Sequence, residues 1–335
     1  MAHTSASPIL ADRFGRRIDY VRISVTDRCD LRCRYCMAED MAFLPKKDIL
    51  TLDEIGVIAD RFIQRGVRRI RLSGGEPLVR RDFGELARRI GRNIGQGLDE
   101  LTMTTNATQL ATHAADLFDT GMRRINVSLD SLKPDVFAQI TRRDRLAQVL
   151  DGIAAARTVG LKIKINMVVM RGINDSEVLA MLRWCDAQGH DLTLIETMPL
   201  GEVADDRADH YMPLHEAIAP VRAEHDLLPS DHKTGGPARY FAVDGMTAKL
   251  GLITPMSDNF CDGCNRIRLT CQGRIYMCLG HEDHVDLLAA FRSGGADALD
   301  GLLDAALGAK PLRHDFAIGA GLAPATRRHM SVTGG

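Results

Sequence analysis

The sequence predicts an α/β fold, a partial (β/α)6 TIM-like barrel with a smaller C-terminal α+β segment covering the open side. Three observations carry this. Between residues 20 and 198, six short β-like runs alternate with longer helical ones, the rhythm of a parallel sheet with right-handed crossovers and helices outside. Within those runs polar and apolar residues alternate, so one sheet face is apolar and the other polar. Beyond residue 200 the β/α rhythm lapses. An open doubly wound sheet satisfies the same rhythm and stays as the alternative. The expected division is 1–200 for the barrel and 201–335 for the C-terminal domain, with no clean linker between them.

Taken in order, the start (MAHTSASPILADRFGRR) lacks the apolar core of a signal peptide, and no apolar stretch could span a bilayer. The strand candidates are YVRISV, RRIRLS, ELTMTTN, RRINVSLD, KIKINMVV and DLTLIET, separated by helical patterns such as LDEIGVIADRFIQRG and DFGELARRIGRNIG. Ile23, Val25, Ile70, Leu72, Ile125, Val127, Ile163 and Ile165 make the apolar face. Arg22, Ser24, Arg69, Arg71, Ser73, Thr102, Thr104, Asn106, Asn126, Ser128, Asp130, Lys162, Lys164 and Asn166 make the other. Parallel strands are usually apolar on both faces, and ordinary barrels fill their lumen with aliphatic side chains. A polar lumen implies a large, polar, anionic ligand. A solvated face, as in antiparallel sheets, is the competing explanation. Residues 201–213 read as a loop, 214–226 as a helix, GGPARYFAVDGMTAKLGLIT as a β-hairpin, and 284–293 and 297–308 as helices.

Six of the eight cysteines form two triads, Cys29, Cys33 and Cys36 near one end, and Cys261, Cys264 and Cys278 near the other. Four cysteines usually hold a cubane iron–sulfur cluster; three leave one iron open to bind a reactant. Zinc is the rival for the first triad, but it wants a fourth protein ligand, and the nearest histidines are His3 and His113. Disulfides do not suit three cysteines within eight residues. For the second triad Cys271 could complete a four-thiolate zinc site, with His281 and His284 close behind, so spacing leaves both metals open. Cys185 and Cys271 otherwise read as small buried hydrophobes.

SGGEP (73–77) follows the second strand at the end where barrel active sites lie, and Gly74 and Gly75 allow close backbone approach. Arginine pairs at 80–81, 88–89 and 142–143 read as solvated charge at helix ends and loops. Lysine plus arginine number 43 against 44 acidic residues, which gives no reason to expect nucleic acid. Clustered free cysteines call for a reducing compartment, so a cytoplasmic protein with no membrane partner is expected.

Cys29-x3-Cys33-x2-Cys36 with Tyr35, and GGEP at 74–77, resemble the signature of radical S-adenosylmethionine enzymes. Cys261-x2-Cys264-x13-Cys278, with Arg266, Arg268 and the Gly334–Gly335 end, narrows the resemblance to the GTP 3′,8-cyclases of molybdenum cofactor biosynthesis, over nearly the whole chain. The resemblance implies two [4Fe–4S] clusters with three cysteine ligands each, S-adenosylmethionine on the first and the purine of GTP on the second. It implies that a 5′-deoxyadenosyl radical takes the 3′ hydrogen of GTP, after which C3′ attacks C8. Tyr35, Gly75, Ser128 and Met198 match the S-adenosylmethionine contacts. Arg22, Arg71, Thr104, Lys164, Arg266 and Arg268 match the GTP contacts, while Arg266, Arg268, Gly334 and Gly335 match the catalytic positions, the tail entering the site. Cys271 then becomes a bystander, and His281 and His284 surface residues or neighbours of the ligands. SGG stands where many relatives have TGG.

The partners implied are GTP, an electron donor and the downstream cyclic pyranopterin monophosphate synthase. The oligomeric state is left open, with a homodimer among the choices. Two other function classes stay in play: a radical enzyme that modifies a peptide or tRNA, and a non-catalytic iron–sulfur or zinc scaffold.

Overall fold

The computed structural model describes residues 9–203 and 207–334. The six expected strands form as β1 (Tyr20–Ser24), β2 (Arg69–Ser73), β3 (Glu100–Thr105), β4 (Arg124–Ser128), β5 (Lys162–Val169) and β6 (Asp191–Glu196). Helices α1 (Leu52–Gln64), α2 (Phe83–Gly91), α3 (Leu110–Asp119), α4 (Pro134–Thr141), α5 (Leu146–Thr158) and α6 (Val178–Gln188) connect them. β1 to β6 lie side by side in chain order, each parallel to the next. A doubly wound sheet would reverse its strand order at a switch point and carry helices on both faces. An unreversed order with right-handed crossovers puts every helix on one face, so the partial barrel holds and the doubly wound alternative falls. Ile23, Ile70, Met103, Val127 and Ile165 are wholly buried in the apolar core beneath those helices.

Local chemistry starts the helices. Thr51 caps α1 in a reciprocal box: its hydroxyl accepts from Glu54 N and the Glu54 carboxylate accepts from Thr51 N. Downstream, the long helix expected over 214–226 breaks into Leu214–Ala217 and Ala219–Glu224. Pro220 lacks the N–H to continue the first and suits the opening turn of the second. The loop expected at 201–213 holds a helical turn, Arg207–His210. The helix expected from 284 begins at Leu287, because His284–Asp286 pair as a strand and Asp286 caps the helix instead. That helix runs Leu287–Gly294, and the next expected one is found at Leu299–Gly308.

The C-terminal strands are β7 (Leu227–Ser230), β8 (Arg239–Val243), β9 (Lys249–Ile253), β10 (Arg266–Leu269), β11 (Arg274–Tyr276) and β12 (His284–Asp286). They lengthen the barrel sheet itself, at both edges: β10 pairs parallel with β1, and β9 parallel with β6. Among the described residues the sheet therefore has twelve strands in the order β12-β11-β10-β1-β2-β3-β4-β5-β6-β9-β8-β7. Among the described residues no helix is long and apolar enough to cross a membrane.

Candidate active site

The first triad sits in the loop that follows β1. Beyond the strands the β1–β2 pairing continues as a ladder: Val25 N donates to Ser73 O, Gly75 N to Thr26 O and Glu76 N to Arg28 O, each at 2.8 Å. The approach is so close that a Cβ on Gly75 would lie 2.3 Å from Arg28 O, so the glycine in GGEP serves the cysteine loop directly. Arg80, expected to be solvated, donates instead to the carbonyls of Val25 and Leu50 and ties down the same loop. Arg32 N and Arg34 N dock it on α4 through Thr141 O and Ile140 O. A tight turn brings Cys36 N to Cys33 O at 2.9 Å.

Neighbouring strands orient these side chains. At the end of β3, Asn106 Nδ2 donates to Asp30 Oδ1 at 2.8 Å and stands 3.7 Å from Cys29 Sγ. Tyr35 Oη donates to Asp130 Oδ2 at 2.8 Å, and Val168 N donates to Asp130 Oδ1. Burial drives all three thiols up, Cys36 to about 12. Left alone they are neutral; a bound metal centre is what ionises such thiols. All eight cysteines are free of disulfides.

Cys261 and Cys264 lie in the loop before β10, and Cys278 just beyond β11. Burial would raise the Cys264 thiol, but Lys310 and then Arg266 outweigh it and pull it down to about 7. Cys271 is wholly buried at the β10–β11 turn, where its carbonyl accepts from Leu50 N, and it does not face the cavity lined by the other three. Because Cys271 does not line the cavity that Cys261, Cys264 and Cys278 share, the four-thiolate zinc reading loses its fourth ligand. Three thiols without a fourth suit a cubane with one open iron.

Both triads line a single cavity, with about 1690 Å³ of empty space counted out to its open mouth. Tyr35, Gly75, Ser128 and Met198 line it, as do Arg22, Arg71, Thr104, Lys164, Arg266 and Arg268. Gly334 borders it: Arg268 Nη1 donates to its carbonyl at 2.5 Å, and a Cβ there would lie 2.0 Å from Ser73 Oγ. Gly335 lies outside the described residues.

Most of the polar strand face is buried, including Arg22, Ser24, Arg71, Ser73, Thr102, Asn126, Asp130 and Lys164, while Lys162 at the start of β5 is exposed and Arg69 half-buried; that burial removes the solvated-face explanation. Arg22 is in register with Arg71 on one side and Arg268 on the other, and all three are buried, as is Lys164. Adjacent strands run about 4.8 Å apart, so like charges are stacked edge to edge. Burial, and then the neighbouring cations, push Arg71 down to about 10 and Lys164 and Arg268 well down. Among the described residues, buried Arg22 Nε, Ser73 Oγ, Thr104 Oγ1 and Asn166 Oδ1 find no hydrogen-bond partner. Unmatched buried donors and acceptors beside unneutralised cations are costly, and a polyanion with many oxygens answers both.

Asp130, Asn106, Arg80 and Lys310 are the functional neighbours that sequence reasoning did not single out. Asp130 and Asn106 already stood on the polar face by alternation. Arg80 and Lys310 carried no signal, since a basic residue near a helix end usually points to water.

The profile of the Radical SAM superfamily matches residues 23–185, and that of Molybdenum Cofactor Synthesis C matches residues 190–316. The chain is 55% identical to a GTP 3′,8-cyclase of Erythrobacter litoralis (strain HTCC2594), covering 98% of this chain and 100% of that one. It is also 55% identical to a GTP 3′,8-cyclase of Rhizobium meliloti (strain 1021), covering 99% and 96%. Among solved structures, Streptococcus suis SuiB bound to S-adenosylmethionine superposes with a TM-score of 0.59 at 15% identity, over 85% of this chain and 64% of SuiB. A second crystal structure of Streptococcus suis SuiB gives a TM-score of 0.56 at 16% identity, over 85% and 66%. This chain thus spans slightly under two thirds of SuiB, and the likeness speaks for the fold alone. Full-length identity above one half, with both profiles in sequence, places the chain in the GTP 3′,8-cyclase family of the Radical SAM superfamily.

Proposed function

We propose that the cavity carries out the GTP 3′,8-cyclase reaction with S-adenosylmethionine at the first triad and GTP at the second. The chain is a radical S-adenosylmethionine enzyme of molybdenum cofactor biosynthesis that converts GTP to (8S)-3′,8-cyclo-7,8-dihydroguanosine 5′-triphosphate. Its cofactors are S-adenosylmethionine and a [4Fe–4S] cluster, which Cys29, Cys33 and Cys36 would hold; a second [4Fe–4S] cluster on Cys261, Cys264 and Cys278 is part of the proposal. One observation carries the placement: two three-cysteine sets line the same cavity, and its wall bears a row of buried, unneutralised cations.

When bound, the first cluster and S-adenosylmethionine supply a 5′-deoxyadenosyl radical, which takes H3′ of GTP before C3′ attacks C8. The chain's own residues bind, orient and shield. Arg22, Arg71, Lys164 and Arg268 neutralise the triphosphate, arginine by forked contacts and lysine as a point charge. Thr104 offers a hydroxyl that has no other partner among the described residues. Arg266, beside the second triad, holds the purine end, and Gly334 closes over Arg268. Tyr35, fixed by Asp130, and Gly75, Ser128 and Met198 take S-adenosylmethionine. Burial keeps water from the reacting carbon centres.

The proposal includes a division into 1–200, which carries the S-adenosylmethionine chemistry, and 201–335, which carries the purine site; the two profiles meeting between residues 185 and 190 support it. It further includes an external electron donor, the cyclic pyranopterin monophosphate synthase as consumer of the product, and a cytoplasmic setting suited to eight free cysteines.

The test is one anaerobic incubation of reconstituted protein with S-adenosylmethionine, dithionite and GTP deuterated at C3′, read by mass spectrometry. Deuterium in 5′-deoxyadenosine together with a cyclised nucleotide is the expected result. Unlabelled 5′-deoxyadenosine with intact GTP would overturn the substrate and bring a peptide or tRNA substrate forward.

A further inference from the structure

We propose that Lys310 is the counter-ion of the second cysteine triad and raises the reduction potential of the cluster held there. The inference rests on the reading of that triad as a [4Fe–4S] site. Lys310 follows the helix Leu299–Gly308, a place where lysine normally reaches water. Here its side chain turns inward and is 1% exposed. Its ammonium meets three acceptors: Met277 O, Arg266 O at 3.1 Å and Cys264 Sγ at 3.6 Å. Two of them flank the triad directly, since Met277 precedes Cys278 and Arg266 stands two residues beyond Cys264.

The charge balance is the decisive point. Among the described residues no carboxylate forms an ion pair with Lys310, and a buried ammonium left uncompensated costs several kcal/mol. A second cation braces the same loops and differs in this respect. Arg16 donates to the carbonyls of Cys261, Pro311 and Leu312, but Asp12 pairs with it at 2.5 Å. Lys310 does not line the cavity either, so it is not one of the cations that await a triphosphate. The anion within its reach is the sulfur of Cys264. Three thiolates around a cubane leave a net negative centre, more negative when reduced, and a fixed positive charge with a hydrogen bond to a ligand sulfur favours the reduced form.

The experiment uses the full chain with Cys29, Cys33 and Cys36 changed to Ala, so that any cluster signal comes from the second site. Midpoint potentials are taken from dithionite titrations followed by electron paramagnetic resonance, with iron counted in parallel, for the parent, Lys310→Met and Lys310→Arg. The expected result is a more negative potential in Lys310→Met and a return toward the parent in Lys310→Arg. Equal potentials in all three, with the cluster present, overturn the inference while the cluster reading stands. A parent without iron overturns both. If Lys310→Met fails to assemble a cluster, Lys310→Arg decides: a cluster at the parent potential supports the charge role, and loss in both variants leaves a steric clamp and overturns it.

Discussion

At Lys164 a charge is asked for where the protein alone disfavours one. Burial, then Arg71, Arg124 and Arg22, hold its pKa well below the ordinary value. In the ligand-free fold this group binds its proton less tightly than in the unfolded chain, so its contribution to stability grows as pH rises toward the unfolded value. A bound triphosphate reverses the balance by giving the ammonium an anion. GTP binding is therefore expected to take up a proton, and affinity to weaken as pH rises through that window. Calorimetry in buffers of different ionisation enthalpy reads the uptake directly; Lys164→Met should abolish it, and undiminished uptake would assign it elsewhere. Arg266→Ala with Arg268→Ala should cut GTP turnover at least a hundredfold, about 2.7 kcal/mol, while uncoupled S-adenosylmethionine cleavage persists. Full turnover in that variant would move the nucleotide away from the second triad. Gly75→Ala tests the first triad, since its Cβ would meet Arg28 O at 2.3 Å. Backbone must move, and the expected outcome is iron reduced by one cluster, with the second cluster retained.

The elements show which physical signals are local and which are not. α1 is capped by residues three apart, Thr51 and Glu54, and Glu54 also pairs with Arg292 from the helix Leu287–Gly294 at 2.7 Å. Thr51→Ala should cost about 1 kcal/mol in denaturant unfolding, with turnover per folded molecule unchanged, because the cap lies outside the cavity. A loss of turnover as large as the loss of a site residue would mean that α1 transmits strain to the cysteine loop. β1 to β6 were legible because alternation is a property of each strand alone, and the same alternation put Arg22, Arg71, Thr104 and Lys164 on one face before any pairing was known. The pairing of β10 with β1 was not legible, because it joins residues about 246 positions apart (Tyr20 with Arg266) and no local pattern encodes a partner. For the same reason Arg268 was matched to the site by motif but not to the row that Arg22 and Arg71 begin. Residues 284–286 read as helix because the pairing that makes them a strand comes from β11. Lys310 was invisible for a related reason: its acceptors are two carbonyls and a sulfur on other segments, and its own neighbourhood resembles an ordinary helix end.

For the whole molecule, one continuous sheet joins two stretches of sequence that match different family profiles. The barrel stretch ends near residue 200, yet its outer strands β1 and β6 are not edges in the intact chain, since β10 and β9 cover them. Cutting the chain after residue 200 would expose two rows of unpaired N–H and C=O groups on β1 and β6, a ready template for association. It would also remove Arg268 from the cation row, together with Arg266, and leave the cavity without the second triad. A fragment 1–200 is therefore expected to associate, with light scattering far above the monomer value and no cooperative melt. Co-expression with 201–335 should restore a one-to-one complex that melts as a single unit, because the missing edges are supplied in trans. A monomeric 1–200 fragment with its own sharp transition would show instead that the barrel stretch folds by itself and that the shared sheet serves the site rather than the fold. The first outcome ties folding of residues 1–200 to the presence of residues 201–335, so that a chain cut at residue 200 would also be unable to present the cysteine loop that follows β1.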